Sequence, residues 1–168
     1  ERIRAASHVI LPGVGAAAPG MQRLRASGLD KLLHTLTQPL LGVCLGMQLL
    51  FEHSEEGDTE CLGLIPGQVR HFDARKGLRV PHMGWNRIRA ERDDPLFASM
   101  DMREAWAYFV HSYAAPVGPC TLASSTHGEP FSAIVRHRNF HGMQFHPERS
   151  AALGLQLLAN FLQPAVDA

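Results

Sequence analysis

The apolar residues of the first half fall into two kinds of run, which predict strands alternating with helices. Short continuous apolar runs at residues 7–11 and 40–44 are typical of buried strands. Between them, leucines recur at helical spacing from residue 21 to residue 37, with an interruption at Ser27-Gly28 and a stop at Pro39. A further helix is predicted over residues 47–53. Strands and helices in alternation favour a sheet with helices packed on its faces.

Strand patterns dominate the second half of the chain. Residues 57–86 are rich in Gly, Pro and scattered charge, so we predict a surface insertion with one strand over 68–72 and a loop over 73–86. Further strands are predicted over residues 85–90, 105–110, 121–125, 131–136 and 142–145. A last helix is predicted over 150–162, with Ser150 as its N-cap. The fold class is therefore α/β, with an open, mostly parallel sheet flanked by helices and an antiparallel extension.

Composition narrows the functional classes. With 168 residues and 45% hydrophobic content, the chain is long enough for one domain with a core. Its 16 basic and 16 acidic residues cancel, which argues against a nucleic-acid or membrane-surface partner. There is no signal-peptide pattern at the start and no apolar run long enough to span a bilayer, so we expect a cytoplasmic protein. Three cysteines without metal-type spacing argue against a disulfide framework.

Cys44 stands in the run GVCLG at residues 42–46, at the junction of a predicted strand and a predicted helix. This G-x-C-x-G pattern is the thiol form of a nucleophile elbow, in which a sharp turn lifts one side chain above the sheet. The glycines remove Cβ atoms that would collide where strand and helix approach. The helix N-terminus would favour the thiolate below its free pKa of about 8.5. The alternative is an inert cysteine buried at the end of a strand.

His146 and Glu148 are the candidate base and its orienting acid. Pro147 favours an extended backbone at His146, and residues i and i+2 of an extended segment project to the same side. A thiol nucleophile needs a histidine held by a third group, and such groups assemble in space from distant segments. Taken alone, the run HPE could instead be a surface turn.

Two other features bear on the chemistry. The loop at residues 12–15, PGVG, follows the first strand, and its backbone N–H groups could join that of Leu45 in stabilising an oxyanion. A phosphate cradle is the alternative, but the GK[ST] ending of such loops is missing. His137, His141 and His146 could suggest a metal hydrolase, yet Gly142 and Pro147 interrupt the helix that such ligand spacing requires.

Taken together, the motifs LPGVG, GVCLGMQ and FHPE resemble those of the class I (triad) glutamine amidotransferases. Within that class, PHMGWN at residues 81–86 and YFVHSY at 108–113 are similar to the glutaminase subunits of imidazole glycerol phosphate synthases. The resemblance extends over residues 7–162. It implies hydrolysis of L-glutamine to glutamate and ammonia through a cysteinyl thioester, with no cofactor and no metal. A glutaminase of another amidotransferase and an inactive scaffold remain alternatives.

The resemblance also implies a role for each matching residue. Cys44 would be the nucleophile, His146 the general base and acid, and Glu148 the group that orients it. The oxyanion hole would be formed by Gly13, Val14 and Leu45. The substrate would be held by Gly15, Gln48, His111, Ser112 and Tyr113.

Ammonia is mostly protonated in neutral water and then lacks the lone pair needed for attack, so it should pass directly to an acceptor site. No second catalytic domain is recognisable, and the resemblance implies a separate (β/α)8-barrel cyclase subunit in a heterodimer. The candidate interface residues are His82, Met83, Trp85 and Tyr108. The family pattern also has a strand-helix unit before LPGVG, so residues 1–168 are expected to be a single glutaminase domain that is short at its N-terminus.

Overall fold

The computed structural model describes residues 1–74 and 77–163, and this part of the chain contains five helices and eleven strands. The helices are α1 (Arg2–Ala5), α2 (Ala17–Ala26), α3 (Leu29–Leu33), α4 (Leu45–Leu50) and α5 (Ala151–Phe161). The strands are β1 (Val9–Gly13), β2 (Leu40–Cys44), β3 (His53–Ser54), β4 (Thr59–Glu60), β5 (Gln68–His71), β6 (His82–Ala90), β7 (Ala105–His111), β8 (Tyr113–Ala114), β9 (Thr121–His127), β10 (Glu129–His137) and β11 (Phe140–Met143). Short 3-10 turns lie at Pro95–Phe97, Met102–Glu104 and Pro147–Arg149.

Seven strands form one sheet in the order β1-β2-β11-β10-β9-β6-β7. The strands β1, β2 and β11 run parallel, and the other neighbours in this sheet are antiparallel. The predicted α/β class with an antiparallel extension is confirmed, but the antiparallel part is larger than the mostly parallel sheet that we expected. The reason is local, because only Gly128 separates β9 from β10 and only residues 138–139 separate β10 from β11. Such short links can only reverse the chain, whereas a parallel neighbour needs a long crossover.

Both faces of the central strands are covered. Leu40 packs into one apolar core with Met21 and Leu50, and Leu41 packs into the other with Leu157 and Phe161. Neighbouring residues of a strand point to opposite faces, so β2 contributes to both cores. Helices α2 and α4 therefore lie on one side of β2 and α5 lies on the other. This burial fixes the carboxyl end of β2, where Cys44 is the last residue.

The segment predicted to be a surface insertion is part of the fold, and that prediction was wrong. Ile65, Val69 and Phe72 are buried in the two cores. The strands β3, β4, β5 and β8 form a second, four-stranded sheet, and β4 and β5 of this sheet come from residues 57–86. Strand β6 begins at His82, inside the segment predicted to be a loop. The strand predicted over 68–72 is confirmed as β5. Strands β3 and β4 were missed because strands of two residues carry too few alternations for a periodicity to be visible in the sequence.

Candidate active site

Cys44 occupies a strained turn between β2 and α4. Its backbone has φ 54° and ψ −112°, a conformation that non-glycine residues rarely adopt. A Cβ at Gly42 would lie 2.6 Å from the carbonyl oxygen of Gly46, and a Cβ at Gly46 would lie 1.9 Å from the carbonyl oxygen of Leu11. The two glycines therefore allow β1, β2 and α4 to approach closely around the thiol, as the sequence predicted.

The thiol of Cys44 is held in a buried, polar environment. Its Sγ atom lies 3.9 Å from the carbonyl oxygen of Val110 and 3.9 Å from Nε2 of Gln144. Burial raises the pKa of the thiol to about 11, and the carboxylates of Glu148 and Glu56 add to this, while the backbone N–H of Leu45 acts in the opposite direction. The N–H group at the start of the helix therefore favours the thiolate as expected, but desolvation outweighs it, so the expectation of a pKa below the free value was wrong. The thiol needs a base.

The imidazole of His146 is paired with Glu148. The Nδ1 atom lies 2.9 Å from Oε1 of Glu148, so the two side chains pair as predicted. The expected backbone geometry was wrong, because only His146 is extended and Pro147–Arg149 form a 3-10 turn. Because a carboxylate only accepts, Nδ1 carries the proton and Nε2 of the neutral ring is left as the acceptor. Cys44 and His146 line the same pocket, and in residues 1–74 and 77–163 no hydrogen bond joins the thiol to the ring.

Ser150 links the backbone of His146 to that of Tyr108, a role that the sequence did not reveal. Its hydroxyl donates to the carbonyl oxygen of His146 at 2.7 Å and accepts from the backbone N–H of Tyr108 at 3.0 Å. Ser150 does occupy the N-cap position of α5, but its side chain makes no capping hydrogen bond. A serine before a helix pattern normally indicates a cap, so no signal in the sequence pointed to this bridge.

The pocket over the thiol has a volume of about 320 Å³. It brings together most of the residues predicted from the sequence: Cys44, His146, Val14, Gly15, Leu45, Gln48, His111, Ser112 and Tyr113. Two predicted residues do not line it. Gly13 ends β1 opposite Cys44, where a Cβ would lie 2.7 Å from the backbone N of Gly46. Glu148 lies on the far side of the imidazole, and its side chain is 59% exposed.

Two side-chain amides support the floor of the pocket. Nε2 of Gln48 donates to the carbonyl oxygen of Tyr113 at 2.9 Å and to Oε1 of Gln144 at 3.0 Å. Both N–H groups of Gln48 are therefore used within the protein. Gln144 is fully buried and was not predicted. Its place depends on the contact with Gln48, which is 96 residues away, and no local pattern in the sequence marks it.

Glu56 brings a carboxylate to the pocket and was also missed. Its Oε2 accepts from the backbone N–H of Ala17 at 2.8 Å, which fixes the carboxylate and leaves Oε1 available. The residue lies in the acidic run SEEGD, next to the segment predicted to be a surface insertion. Acidic runs of this kind usually lie on a solvated surface, so nothing in the sequence singled out Glu56 as a pocket residue.

The predicted interface residues separate into two groups. Met83 and Trp85 are 56% and 52% exposed on one face of β6, so Trp85 is not an ordinary core residue. Tyr108 lies half-buried next to them, with its ring 6.0 Å from that of Trp85 and 4.4 Å from the guanidinium carbon of Arg149. His82, by contrast, is only 6% exposed, and its assignment to a partner surface was wrong. It points to the opposite face of β6, because strand side chains alternate.

Metal-binding and membrane-spanning features are absent from the part of the chain that the structure describes. In residues 1–74 and 77–163, no three His, Cys, Asp or Glu side chains are arranged to hold a metal ion, and His137, His141 and His146 do not converge. No helix in the same residues is long and apolar enough to cross a bilayer.

Comparison with known proteins gives matches over nearly the whole chain. The family model described as "Glutamine amidotransferase class-I" matches residues 2–165. The chain is 57% identical over 161 residues to "Imidazole glycerol phosphate synthase subunit HisH" of Xanthomonas axonopodis pv. citri, covering 96% of this chain and 80% of that protein. It is 52% identical over 163 residues to the subunit of the same name from Idiomarina loihiensis, covering 97% of this chain and 81% of that protein.

Two solved structures share the fold. One is described as a putative GMP synthase protein from Thermoplasma acidophilum, with a TM-score of 0.70, 19% identity, and coverage of 95% of this chain and 73% of that chain. The other is described as a glutamine amidotransferase, with a TM-score of 0.66, 18% identity, and coverage of 95% and 81%. At these identities the likeness establishes the fold alone.

Proposed function

Because the chain belongs to the class I glutamine amidotransferases, we propose that it is the glutaminase subunit of an imidazole glycerol phosphate synthase and acts in histidine biosynthesis. The single observation that carries this proposal is the pocket lined by both Cys44 and His146, with Glu148 bonded to the far side of the imidazole. The reaction is hydrolysis of the L-glutamine carboxamide. The product ammonia is destined for a cyclase subunit.

In the first half-reaction, Nε2 of His146 takes the thiol proton as Sγ of Cys44 attacks the carboxamide carbon. The base is needed since burial raises the pKa of the thiol to about 11. Glu148 stabilises the imidazolium that forms, because its carboxylate is 2.9 Å from Nδ1. His146 then donates the proton to the leaving nitrogen, which departs as ammonia and leaves a glutamyl thioester.

In the second half-reaction, His146 takes a proton from water as the water oxygen attacks the thioester carbon. The carbon–sulfur bond breaks, the thiol regains its proton, and glutamate is released. Both tetrahedral intermediates carry an oxyanion. The backbone N–H of Leu45 and the loop at Gly13 and Val14 are our candidates for its stabilisation.

The pocket also offers groups for the other end of the substrate. The α-ammonium of glutamine requires an acceptor, and Glu56 is the residue with a carboxylate fixed in the pocket lining. Gly15 and the backbone at His111, Ser112 and Tyr113 also line the pocket and would meet the carboxylate and the chain of the substrate.

The ammonia acceptor would be a (β/α)8-barrel cyclase that docks on the exposed side chains of Met83 and Trp85 and on Tyr108. Aromatic residues and methionine are enriched at the centres of interfaces. We further propose that residues 1–168 form one glutaminase domain and that the protein acts in the cytoplasm.

The deciding experiment labels the protein with 6-diazo-5-oxo-norleucine, an electrophilic glutamine analogue, and locates the label by mass spectrometry. Cys61 and Cys120 serve as internal controls because they do not line the pocket. Labelling at Cys44 alone, with glutamate released from glutamine when the cyclase is added, is the expected result. Equal labelling of all three cysteines would overturn the proposal.

A second measurement tests substrate recognition. Glu56→Gln should raise KM for glutamine about 10-fold or more, because a charge-assisted hydrogen bond is lost. The matched control is Glu55→Gln, since Glu55 accepts from the backbone N–H of His71 and does not line the pocket. An equal effect of both substitutions would contradict the assignment of Glu56.

A further inference from the structure

A row of buried and partly buried hydrogen bonds leads from strand β6 to the wall of the pocket. Nδ2 of Asn86 lies 3.1 Å from Nε2 of His82, and Nδ1 of His82 lies 2.9 Å from Nε2 of His111. Nδ1 of His111 lies 2.9 Å from the carbonyl oxygen of Tyr113. Within residues 1–74 and 77–163, neither imidazole is hydrogen-bonded to the thiol of Cys44, and neither takes part in the proton transfers described above.

Every bond in this row has a fixed direction. The carbonyl of Tyr113 can only accept, so His111 donates from Nδ1 and its neutral ring has an acceptor at Nε2. His82 must then donate from Nδ1, which leaves its Nε2 to accept from the amide of Asn86. The orientation of that amide is set independently, because Nδ2 also donates to the carbonyl of Thr126 and Oδ1 accepts from the backbone N–H of Arg87.

The surroundings keep both rings neutral. His82 and His111 are each 6% exposed and lie among the rings of Phe72, Phe109 and Phe131. Burial lowers the pKa of His82 to about 4 and that of His111 to about 3. Two other titratable groups face these rings. The ring of His127 stacks on that of His82 with centroids 4.3 Å apart, and His146 faces His111. A positive charge on His127 or His146 lowers the pKa of the ring that it faces.

The row ends at the groups that shape the pocket. The carbonyl of Tyr113 accepts a second hydrogen bond from Gln48, which also bonds to Gln144. Nε2 of Gln144 in turn lies 3.9 Å from Sγ of Cys44. A shift of the Tyr113 carbonyl would therefore move the pocket wall and release the amide of Gln48.

We propose that His82 and His111 are positioning residues for glutamine binding, whose directed hydrogen bonds hold the wall at residues 111–113 and the amide of Gln48 in place. This inference rests on the proposed glutaminase function. It replaces the partner-interface role that the sequence suggested for His82 and adds a side-chain role to His111. The two rings act through Tyr113 and touch neither substrate nor partner.

The first test reads the tautomers directly and does not depend on activity. Nitrogen-15 NMR of the histidine rings in the intact protein should show His82 and His111 protonated at Nδ1 and unprotonated at Nε2. This protonation state should not change from pH 7.5 to pH 5.5. Assignment uses the single variants described below, together with His111→Asn. A proton at Nε2 of either ring in this range would overturn the proposal.

The second test compares two substitutions of His82. His82→Asn keeps a donor near the position of Nδ1, whereas His82→Leu removes it. The measurement is the rate of Cys44 alkylation by 6-diazo-5-oxo-norleucine divided by the rate with iodoacetamide, so that changes in thiol reactivity cancel. We expect the ratio to fall at least 10-fold in His82→Leu and to stay within about threefold of wild type in His82→Asn.

The control is His127→Gln, which removes the ring stacked on His82 but keeps a donor near Nε2 for the carbonyl of Arg79. It should leave the alkylation ratio unchanged. An unchanged ratio in His82→Leu, or an equal fall in all three variants, would overturn the positioning role. If wild type itself is not labelled selectively at Cys44, the proposed function fails instead, and the NMR result still decides the direction of the hydrogen bonds.

Discussion

Replacing Gly46 with alanine would place a Cβ atom 1.9 Å from the carbonyl oxygen of Leu11 and 2.9 Å from its carbonyl carbon. Both atoms belong to the backbone of β1, so no side-chain rotation can relieve the overlap. Contacts between non-bonded heavy atoms are optimal near 3.5 to 4.0 Å. Strand β1 and helix α4 would therefore have to separate by more than about 1 Å.

Two consequences of this separation can be given magnitudes. Overpacking of this kind costs roughly 1 to 3 kcal/mol, which corresponds to a fall in Tm of about 2 to 12 °C for a chain of this length. Gly13 and Val14 continue from Leu11, and Leu45 immediately precedes Gly46, so the two halves of the proposed oxyanion hole would move apart. Since a misplacement of about 1 Å can cost about 100-fold, we expect kcat to fall at least that much.

The assay combines two measurements. Thermal unfolding, monitored by circular dichroism, gives Tm. Glutamate release in the presence of the cyclase, at a temperature well below the Tm of both wild type and variant, gives kcat. The matched control is Gly118→Ala, because a Cβ at Gly118 has no heavy atom within 4 Å. This control should keep the wild-type Tm and kcat. Turnover by Gly46→Ala within threefold of wild type, or an equal loss in Gly118→Ala, would refute the close-approach argument.

Three further predictions concern groups around the pocket. Because the pKa values of His82 and His111 are lowered to about 4 and about 3, the unfolded chain binds more protons from pH 6.5 down to those values. The free energy of unfolding should therefore fall as pH decreases, by about 1.4 kcal/mol per pH unit for each histidine. Urea titrations at several pH values measure this free energy, and its slope against pH should be shallower in His82→Asn than in wild type. Equal slopes in the two proteins would contradict the lowered pKa of His82. Glu148→Gln should lower kcat at least about 10-fold with little change in KM, because the imidazolium of His146 loses its counter-charge. Steady-state kinetics measure both constants, and an unchanged kcat would exclude this role for Glu148. Ser150→Ala should cost about 1 to 3 kcal/mol in urea unfolding because two backbone groups lose their partner, whereas Ser150→Thr should recover most of it.

The parts of the site that follow from spacing along the chain could be predicted from the sequence. The strand ending at Cys44 was predicted with its observed bounds, because a continuous apolar run, two glycines and the following helix pattern all meet there. The pairing of His146 with Glu148 was predicted from their i, i+2 spacing, although Pro147 begins a 3-10 turn and does not continue the extended segment that we expected. Exposed aromatic side chains, such as that of Trp85, could be inferred from a setting rich in glycine and proline. In each case the constraint acts within a few residues.

What the fold alone decided depends on segments that are distant in sequence. Glu56, Gln144 and Ser150 gained their places from contacts with α2, α4 and β7, and no local pattern encodes these neighbours. The burial of His82 required the packing of three phenylalanine rings from separate elements around it. The high pKa of the Cys44 thiol has the same origin, because desolvation is a property of everything packed around the sulfur. The sequence thus determined which groups are available and their local geometry, and tertiary packing determined which of them meet and how water is excluded from them.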